Sequence, residues 1–166
     1  MMNKLNPQDQ RHLEAAQAWL ELGNPNGASE ELEQISPQMR GHPDVLTVRV
    51  AIFEADRKWE HAAEVSRTIS EFMPENPFGF VHMAYALHEL KRTKDAWNVL
   101  LPVVDKFPGE HTVFYNLACY ACQLGSLQDA MQWLEKAVDL AATKEVKLMA
   151  LDNPDFEPLW NDIGKI

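Results

Sequence analysis

The sequence lacks the features that usually mark a secreted protein, a membrane protein or an enzyme. Only two of its 166 residues are cysteine, which is too few for a disulfide framework. No hydrophobic run approaches the ~18 residues that a membrane-spanning helix needs. Neither a glycine-rich phosphate loop nor a Ser-His-Asp order can be read along the chain. The sequence therefore predicts a protein that is not an enzyme, binds no cofactor and does not insert into a membrane.

Positive charge is also scarce. Lysine and arginine together number 15 against 25 acidic residues, so the formal net charge is -10. Nucleic acids and anionic membrane surfaces both require a face rich in Lys and Arg, and this balance argues against either partner. The first residues, MMNKLNPQDQRHLEAA, lack the apolar centre of a signal peptide. We therefore expect a cytoplasmic protein whose partners are neutral or basic.

Hydrophobic residues make up 46% of the chain, and their spacing predicts helices. Residues 114–142 contain two consecutive amphipathic segments. The inner faces of the two segments carry Phe114, Leu117, Ala118 and Ala121, and then Leu127, Ala130, Leu134, Ala137 and Val138. Between them, Gly125 interrupts the pattern and Ser126 is predicted to cap the second helix through its hydroxyl. A single pair cannot bury both apolar faces, so the pattern predicts further copies.

The copies are visible as a periodic register. Ala28, Ala62, Ala96 and Ala130 follow one another at intervals of 34 residues, and apolar positions keep step with them. At this period the chain resembles the tetratricopeptide repeat family, whose unit is a helix–turn–helix of about 34 residues. The resemblance covers roughly residues 10–142, and the spacing is its strongest part.

The resemblance implies an all-α fold, a right-handed α–α superhelix or solenoid. Four helix-turn-helix repeats are expected at about 9–42, 43–76, 77–110 and 111–142. Residues 143–166 would form a C-terminal cap, and residues 1–166 a single domain. In this family the first helix of each pair lines the concave side, where peptides or partner helices bind.

Several local features refine this expectation. Asn24 and Asn76 each precede a proline and are predicted to cap a helix. Thr93 is predicted to cap the return helix of the third copy, and Pro102 to kink that helix. Ser66 stands where the family has leucine, which predicts looser packing at that position.

The C-terminal residues allow two interpretations. Residues 144–151 read as an amphipathic helix, and Phe156, Leu159, Trp160 and Ile163 form a short apolar face beyond it. The first interpretation is a cap that covers the last repeat, since solenoids need polar outer ends. The alternative is a dimerisation patch built on Trp160 and Phe156.

The register and the resemblance together assign a partner-binding groove. Its predicted residues are Gln17, Thr47, Ala51, Phe78, Val81, His82, Tyr85, His88, Tyr115, Asn116, Cys119, Cys122 and Gln123. Aromatic side chains with polar tips are typical of protein recognition surfaces, and they are densest in the third and fourth copies. The alternative is that some of these side chains only fill space between adjacent first helices.

Cys119 and Cys122 have the C-x-x-C spacing of redox and zinc sites. A redox cysteine lies at a helix N-terminus, but both of these lie inside a predicted helix. Zinc would need two further ligands, and His82 and His88 are six residues apart, so they fall on different sides of their helix. The sequence therefore predicts packing or groove cysteines rather than a metal or redox site.

The leading hypothesis for function is a scaffold or adaptor that binds a peptide or helix of a partner protein in the groove. We expect the partner to meet Tyr85, His88, Tyr115 and Asn116. One alternative is a secretion chaperone of the type III class, because small acidic members of this family act in that way. Another is a self-assembling scaffold, with a homodimer through the C-terminal end. The last is an enzyme or a metal-dependent sensor that uses Cys119, Cys122 and His88, which the spacing of these residues disfavours.

Overall fold

The computed structural model describes residues 4–166, so residues 1–3 of the predicted domain lie outside the described part. Within that part the chain forms an all-α helical-repeat solenoid with no strand. The α-helices are α1 (Pro7–Glu21), α2 (Pro25–Gln34), α3 (Pro43–Ala55), α4 (Trp59–Phe72), α5 (Pro77–Glu89), α6 (Thr93–Leu100), α7 (His111–Gln123), α8 (Leu127–Ala141), α9 (Glu145–Asp152) and α10 (Trp160–Ile163). Short 3-10 helices lie at Pro37–Met39, Leu101–Val103 and Pro154–Leu159.

The alanine register is confirmed by burial. Ala28, Ala62, Ala96 and Ala130 each have 0% of their surface exposed, and each lies in the second helix of a pair. A small side chain at this position lets two helix backbones approach closely. Leu127 differs from its prediction, because it is the first residue of α8 and is exposed at the turn.

The turn inside each pair is built in the same way four times. Gly23, Arg57, Lys91 and Gly125 are each 34 residues apart, and all have φ between +56° and +86°. In each turn the following residue donates its N–H to a carbonyl five residues earlier, as in Asn24 to Trp19 and Ser126 to Ala121. This is the helix-ending motif that favours glycine, because a left-handed residue lets the chain reverse.

Helix starts follow the sequence at some positions and not at others. The side chains of Asn24 and Asn76 accept hydrogen bonds from the backbone N–H groups of Gly27 and Phe78, both at 2.9 Å, so these caps are confirmed. Ser126 makes no side-chain capping bond, so its predicted hydroxyl cap is wrong. The predicted Thr93 cap is also wrong, because Thr93 is already inside α6 and its hydroxyl lies beside His88.

Pro102 ends a helix rather than kinking it. The α-helix α6 stops at Leu100, and the chain passes into the 3-10 helix Leu101–Val103. Proline has no N–H for an α-helical bond and its ring clashes with the carbonyl four residues earlier. The prediction of a kinked continuous helix is therefore wrong.

Close packing replaces the loose packing predicted at Ser66. A Cβ built on Gly79 in α5 would lie 2.4 Å from the Ser70 nitrogen and 2.8 Å from the Ser66 carbonyl oxygen. Only a residue without a side chain fits against backbone at that distance. The small residues Ser66 and Ser70 thus let α4 and α5 approach directly, and the prediction of a looser interface is wrong.

The C-terminal residues cap the last pair. Val146, Ala150, Phe156, Leu159 and Ile163 are buried against the core that contains α7 and α8. Trp160 is held within this cap by its indole N–H, which donates to the Ala150 carbonyl at 3.1 Å. Because Phe156 is completely buried, it cannot contribute to the dimerisation patch that the sequence offered as an alternative.

Candidate functional site

The first helices of the four pairs, α1, α3, α5 and α7, form one side of the solenoid, which we call the inner face. The half formed by α1, α3 and α5, which we call the open half, is an open depression of about 440 Å³. It lies between α1, α3 and α5, which contribute side chains at helical spacing. The lining residues are Gln17, Leu20, Glu21, Thr47, Val48, Ala51, Phe78 and His82. Gln17, Thr47, Ala51, Phe78 and His82 among them are predicted groove residues, so the register brings these five together.

Phe78 and His82 form the aromatic wall of this open half. Their rings stack with centroids 4.0 Å apart. The Nδ1 atom of His82 lies 2.7 Å from the Glu54 carboxylate oxygen Oε1, which fixes the imidazole from the side of α3. Phe78 and Val81 also line the adjacent depression that reaches Thr112 of α7. The wall therefore presents apolar faces that are already held in place.

The open half combines an apolar floor with acidic groups. Val48, Ala51 and Glu21 all line it, and the Glu54 carboxylate lies against the His82 imidazole. The hydroxyl of Thr47 donates to the Pro43 carbonyl at 2.9 Å, so its one proton is used within α3. Such a surface suits apolar side chains that are accompanied by positive charge.

Tyr85 lies further along α5 with more than a third of its surface exposed. Its ring meets the edge of the Trp59 ring, with centroids 5.5 Å apart. Burial of its inner part, with the negative charges of Glu89 and Glu54, raises the pKa of the Tyr85 hydroxyl. At neutral pH the hydroxyl therefore keeps its proton and can donate a hydrogen bond to a partner.

The other half of the inner face is covered by the chain itself. Residues 153–159, which we call the closing segment, fold back across α7. Gln123 donates to the Asp155 carbonyl at 2.9 Å, and Asn153 donates to the Tyr115 hydroxyl at 3.2 Å. The rings of Tyr115 and Phe156 meet edge to face at 5.5 Å. This half of the inner face is therefore occupied by the closing segment.

Beneath the closing segment, three chemically distinct side chains converge. The Nε2 atom of His88 lies 2.8 Å from Asp155 Oδ2, and the Cys119 thiol lies 3.2 Å from the same oxygen. The Sγ of Cys119 and the Nε2 of His88 are 4.0 Å apart. Burial, together with the Asp155 charge, raises the pKa of the Cys119 thiol, which therefore carries its proton in this arrangement.

Three predicted groove residues are not accessible. His88, Cys119 and Cys122 have only 7%, 5% and 4% of their surface exposed. The prediction that they present themselves to a partner is wrong, because the closing segment and the adjacent helices cover them. His88 is therefore too buried to contact a partner directly. Tyr115 is partly covered, because Asn153 and Phe156 of the closing segment contact it. Asn116 and Gln123 keep part of their surface free on the same helix.

Asp155 and Asn153 are site residues that the sequence reasoning missed. They are 36 and 38 residues from Cys119 and Tyr115, the groups that they contact. The run Asn153-Pro154-Asp155 indicates a turn, and Asn153 indeed accepts the Asp155 N–H at 3.0 Å. The local sequence does not predict which part of the fold this turn contacts. That contact depends on the orientation of α9 relative to α8.

Among residues 4–166, no helix is both long enough and apolar enough to span a bilayer.

Comparison with known proteins gives matches by structure only. No family model matches the sequence, and no curated protein matches it significantly. The crystal structure of TTC0263, described as a thermophilic TPR protein of Thermus thermophilus, superposes with a TM-score of 0.77 at 17% identity. That alignment covers 94% of this chain and 83% of TTC0263.

Structures of MamA are also similar. MamA from Desulfovibrio magneticus RS-1, from its residue 41 to the end, gives a TM-score of 0.71 at 18% identity and covers 98% of this chain and 94% of its own. MamA from MSR-1 gives 0.66 at 22% identity, with 81% and 77% covered. Identities this low show a shared fold and say nothing about shared partners.

Proposed function

We propose that this chain, which has the tetratricopeptide repeat fold, is a non-enzymatic protein–protein interaction module of the cytoplasm. It would hold an extended segment or a helix of a partner protein in the open half of its inner face. The observation that supports this most is the asymmetry of that face. The half formed by α1, α3 and α5 is an open depression, whereas the half formed by α7 is covered by the closing segment.

The chemistry of the open half indicates what kind of segment it would take. Phe78 and Val48 offer apolar contact, which favours a segment with exposed Leu, Met or aromatic side chains. Glu21 lines the depression, the Glu54 carboxylate lies against the His82 imidazole, and the whole chain carries a net charge of -10. We therefore propose a partner segment that combines apolar anchors with at least one Lys or Arg.

The experiment that tests this proposal starts from a displayed library of random peptides, selected on the full chain. The enriched peptides are then titrated calorimetrically against two matched variants. Phe78→Ala removes the aromatic wall and should weaken binding by roughly tenfold or more. Phe72→Ala removes an equally large ring that is 67% exposed at the end of α4 and does not line the depression, so it should leave the affinity unchanged.

The composition of the selected peptides is a second readout of the same experiment. Enrichment of Lys or Arg beside apolar residues is the expected result. Peptides that bind equally well to both variants would contradict the groove assignment. Enrichment of acidic sequences would contradict the proposed charge complementarity, even if Phe78 proved necessary.

The two narrower alternatives differ in what supports them. Self-association through the C-terminal end would use the partly buried Trp160 with Leu148 and Met149, which are 62% and 55% exposed, because Phe156 is buried. The secretion-chaperone hypothesis rests on size and charge, and no contact in residues 4–166 favours it over an adaptor. Neither alternative explains why the depression between α1, α3 and α5 is open, whereas peptide binding gives it a role.

A further inference from the structure

The cluster beneath the closing segment has the donors and the geometry of a transition-metal site. Its three ligand atoms are the Nε2 of His88, the Sγ of Cys119 and a carboxylate oxygen of Asp155, all within 4.8 Å of one another. Imidazole, thiolate and carboxylate are the three side-chain ligands that zinc takes in proteins. In tetrahedral coordination such ligand atoms stand about 3.4–3.6 Å apart.

The observed separations are close to that range. They are 2.8 Å from His88 to Asp155, 3.2 Å from Cys119 to Asp155 and 4.0 Å from Cys119 to His88. Each therefore differs from the tetrahedral spacing by no more than about 0.6 Å. Side-chain rotations of this size would suffice to admit an ion at the centre.

The surroundings hold the three donors in position. The Nδ1 atom of His88 lies 3.0 Å from the Thr93 hydroxyl, whose oxygen can accept a hydrogen bond from Nδ1–H, so that Nε2 can act as the metal ligand. Metal-bound histidines are typically oriented through their second nitrogen in this manner. Asp155 is placed through its backbone, because its N–H donates to Asn153 and its carbonyl accepts from Gln123.

A buried hydroxyl beside the cluster lacks a partner. The Tyr120 oxygen has no hydrogen-bond partner among residues 4–166, although the side chain is almost completely buried. Its ring centroid lies 5.1 Å from that of His88. Three protein ligands would leave the fourth tetrahedral position of the ion for water.

We propose that His88, Cys119 and Asp155 bind one zinc ion, which fastens the closing segment to α5 and α7. On binding, the S–H bond of Cys119 breaks, the thiolate coordinates the metal, and that proton passes to the solvent. The proton between His88 Nε2 and Asp155 also leaves, so that Nε2 coordinates the metal while the neutral imidazole carries its one proton on Nδ1 and donates it in a hydrogen bond to the Thr93 hydroxyl. The ion would join residues 31, 36 and 67 positions apart in sequence. It would therefore stabilise the covered half of the inner face, which is separate from the proposed peptide groove.

Cobalt(II) is the probe that tests this assignment, since a thiolate bound to it gives a near-ultraviolet charge-transfer band. The reduced, metal-stripped full chain is titrated with cobalt and then with zinc. One equivalent of cobalt should produce the band, and zinc should remove it. Cys119→Ser should abolish the band, while the matched variant Cys122→Ser, which changes the neighbouring buried thiol, should retain it.

Asp155→Asn provides a variant of nearly unchanged shape. It should lower the cobalt affinity at least about tenfold while helix content is kept. Zinc at a hundredfold excess over Kd should raise the thermal midpoint of the wild type by about 5 °C or more, and that of Asp155→Asn far less.

Absence of the band in the wild type would show that His88, Cys119 and Asp155 form only a hydrogen-bonded cluster, and it would overturn the proposal. Retention of the band in Cys119→Ser, or its loss in both cysteine variants, would also overturn it.

Discussion

At the scale of single residues, the turn within each helix pair repeats more faithfully than the sequence does. The same left-handed position is occupied by glycine in the outer two pairs and by Arg57 and Lys91 in the inner two. A side chain in this conformation costs roughly 1–2 kcal/mol, because its Cβ crowds the following carbonyl. The two inner turns are therefore strained relative to the outer two.

Replacing these two residues by glycine should relieve the strain. Arg57→Gly and Lys91→Gly should each raise the free energy of unfolding by about 1 kcal/mol, since both side chains are exposed and only the backbone conformation matters. Chemical denaturation measures this difference. The reciprocal control is Gly125→Ala, which should lower the free energy of unfolding by a similar amount. If the two glycine variants instead lowered the free energy of unfolding, the left-handed conformation of the turn would not be what determines stability at these positions.

Some residue roles in these turns and interfaces can be predicted from the sequence, and others cannot. Ala28 and its three counterparts are predictable because a small residue between two helices has one role and one spacing. Lys91 is not predictable as a left-handed residue, because the helix-ending hydrogen bonds impose that conformation against its preference. The packing at Ser66 is mispredicted for a related reason. Whether a small residue there packs loosely or closely depends on Gly79, which lies in another helix.

At the scale of elements, the closing segment decides which part of the inner face is free. Its anchor is Phe156, whose ring is completely buried and meets Tyr115 edge to face. The short helix α10 and the helix α9 complete the cap around it, through Ile163 and Ala150. The cap therefore depends on one large side chain more than on its helices, which are only four and eight residues long.

Truncating that anchor should cost far more than truncating an exposed residue of the same cap. Phe156→Ala should lower the free energy of unfolding by about 3–5 kcal/mol, because it leaves a cavity under the closing segment. Leu148→Ala, on the exposed face of α9, should change it by less than about 0.5 kcal/mol. Denaturant unfolding followed by circular dichroism gives both values. Equal effects of the two substitutions would contradict the anchoring role of Phe156.

The existence of the cap could be predicted from sequence, but its course could not. The apolar spacing of Phe156, Leu159 and Ile163 predicts a buried face at the end of a solenoid. The turn before this face places Asp155 in contact with His88 and Cys119. This placement depends on tertiary structure and cannot be predicted from the local sequence. For this reason the sequence placed His88 in the groove, whereas the folded chain buries it.

At the scale of the whole molecule, the inner face is divided into an open half and a half that the chain itself covers. The repeats supply one continuous register, so five predicted groove residues do meet in one depression. The chain's own C-terminal residues occupy the rest. The division follows from the length of the chain beyond α8, which is sufficient to form α9 and return across α7.

The most direct test of this division is photo-crosslinking with a peptide selected as described above. A photoreactive phenylalanine analogue is placed at Ala51, in the open half, or at Asn116, a partly exposed position of α7 in the covered half. The two variants are irradiated with the peptide, and the crosslinked residue is identified by mass spectrometry. If the inner face is divided in this way, position 51 crosslinks to the peptide and position 116 does not. A crosslink from position 116, with or without one from position 51, would refute the division.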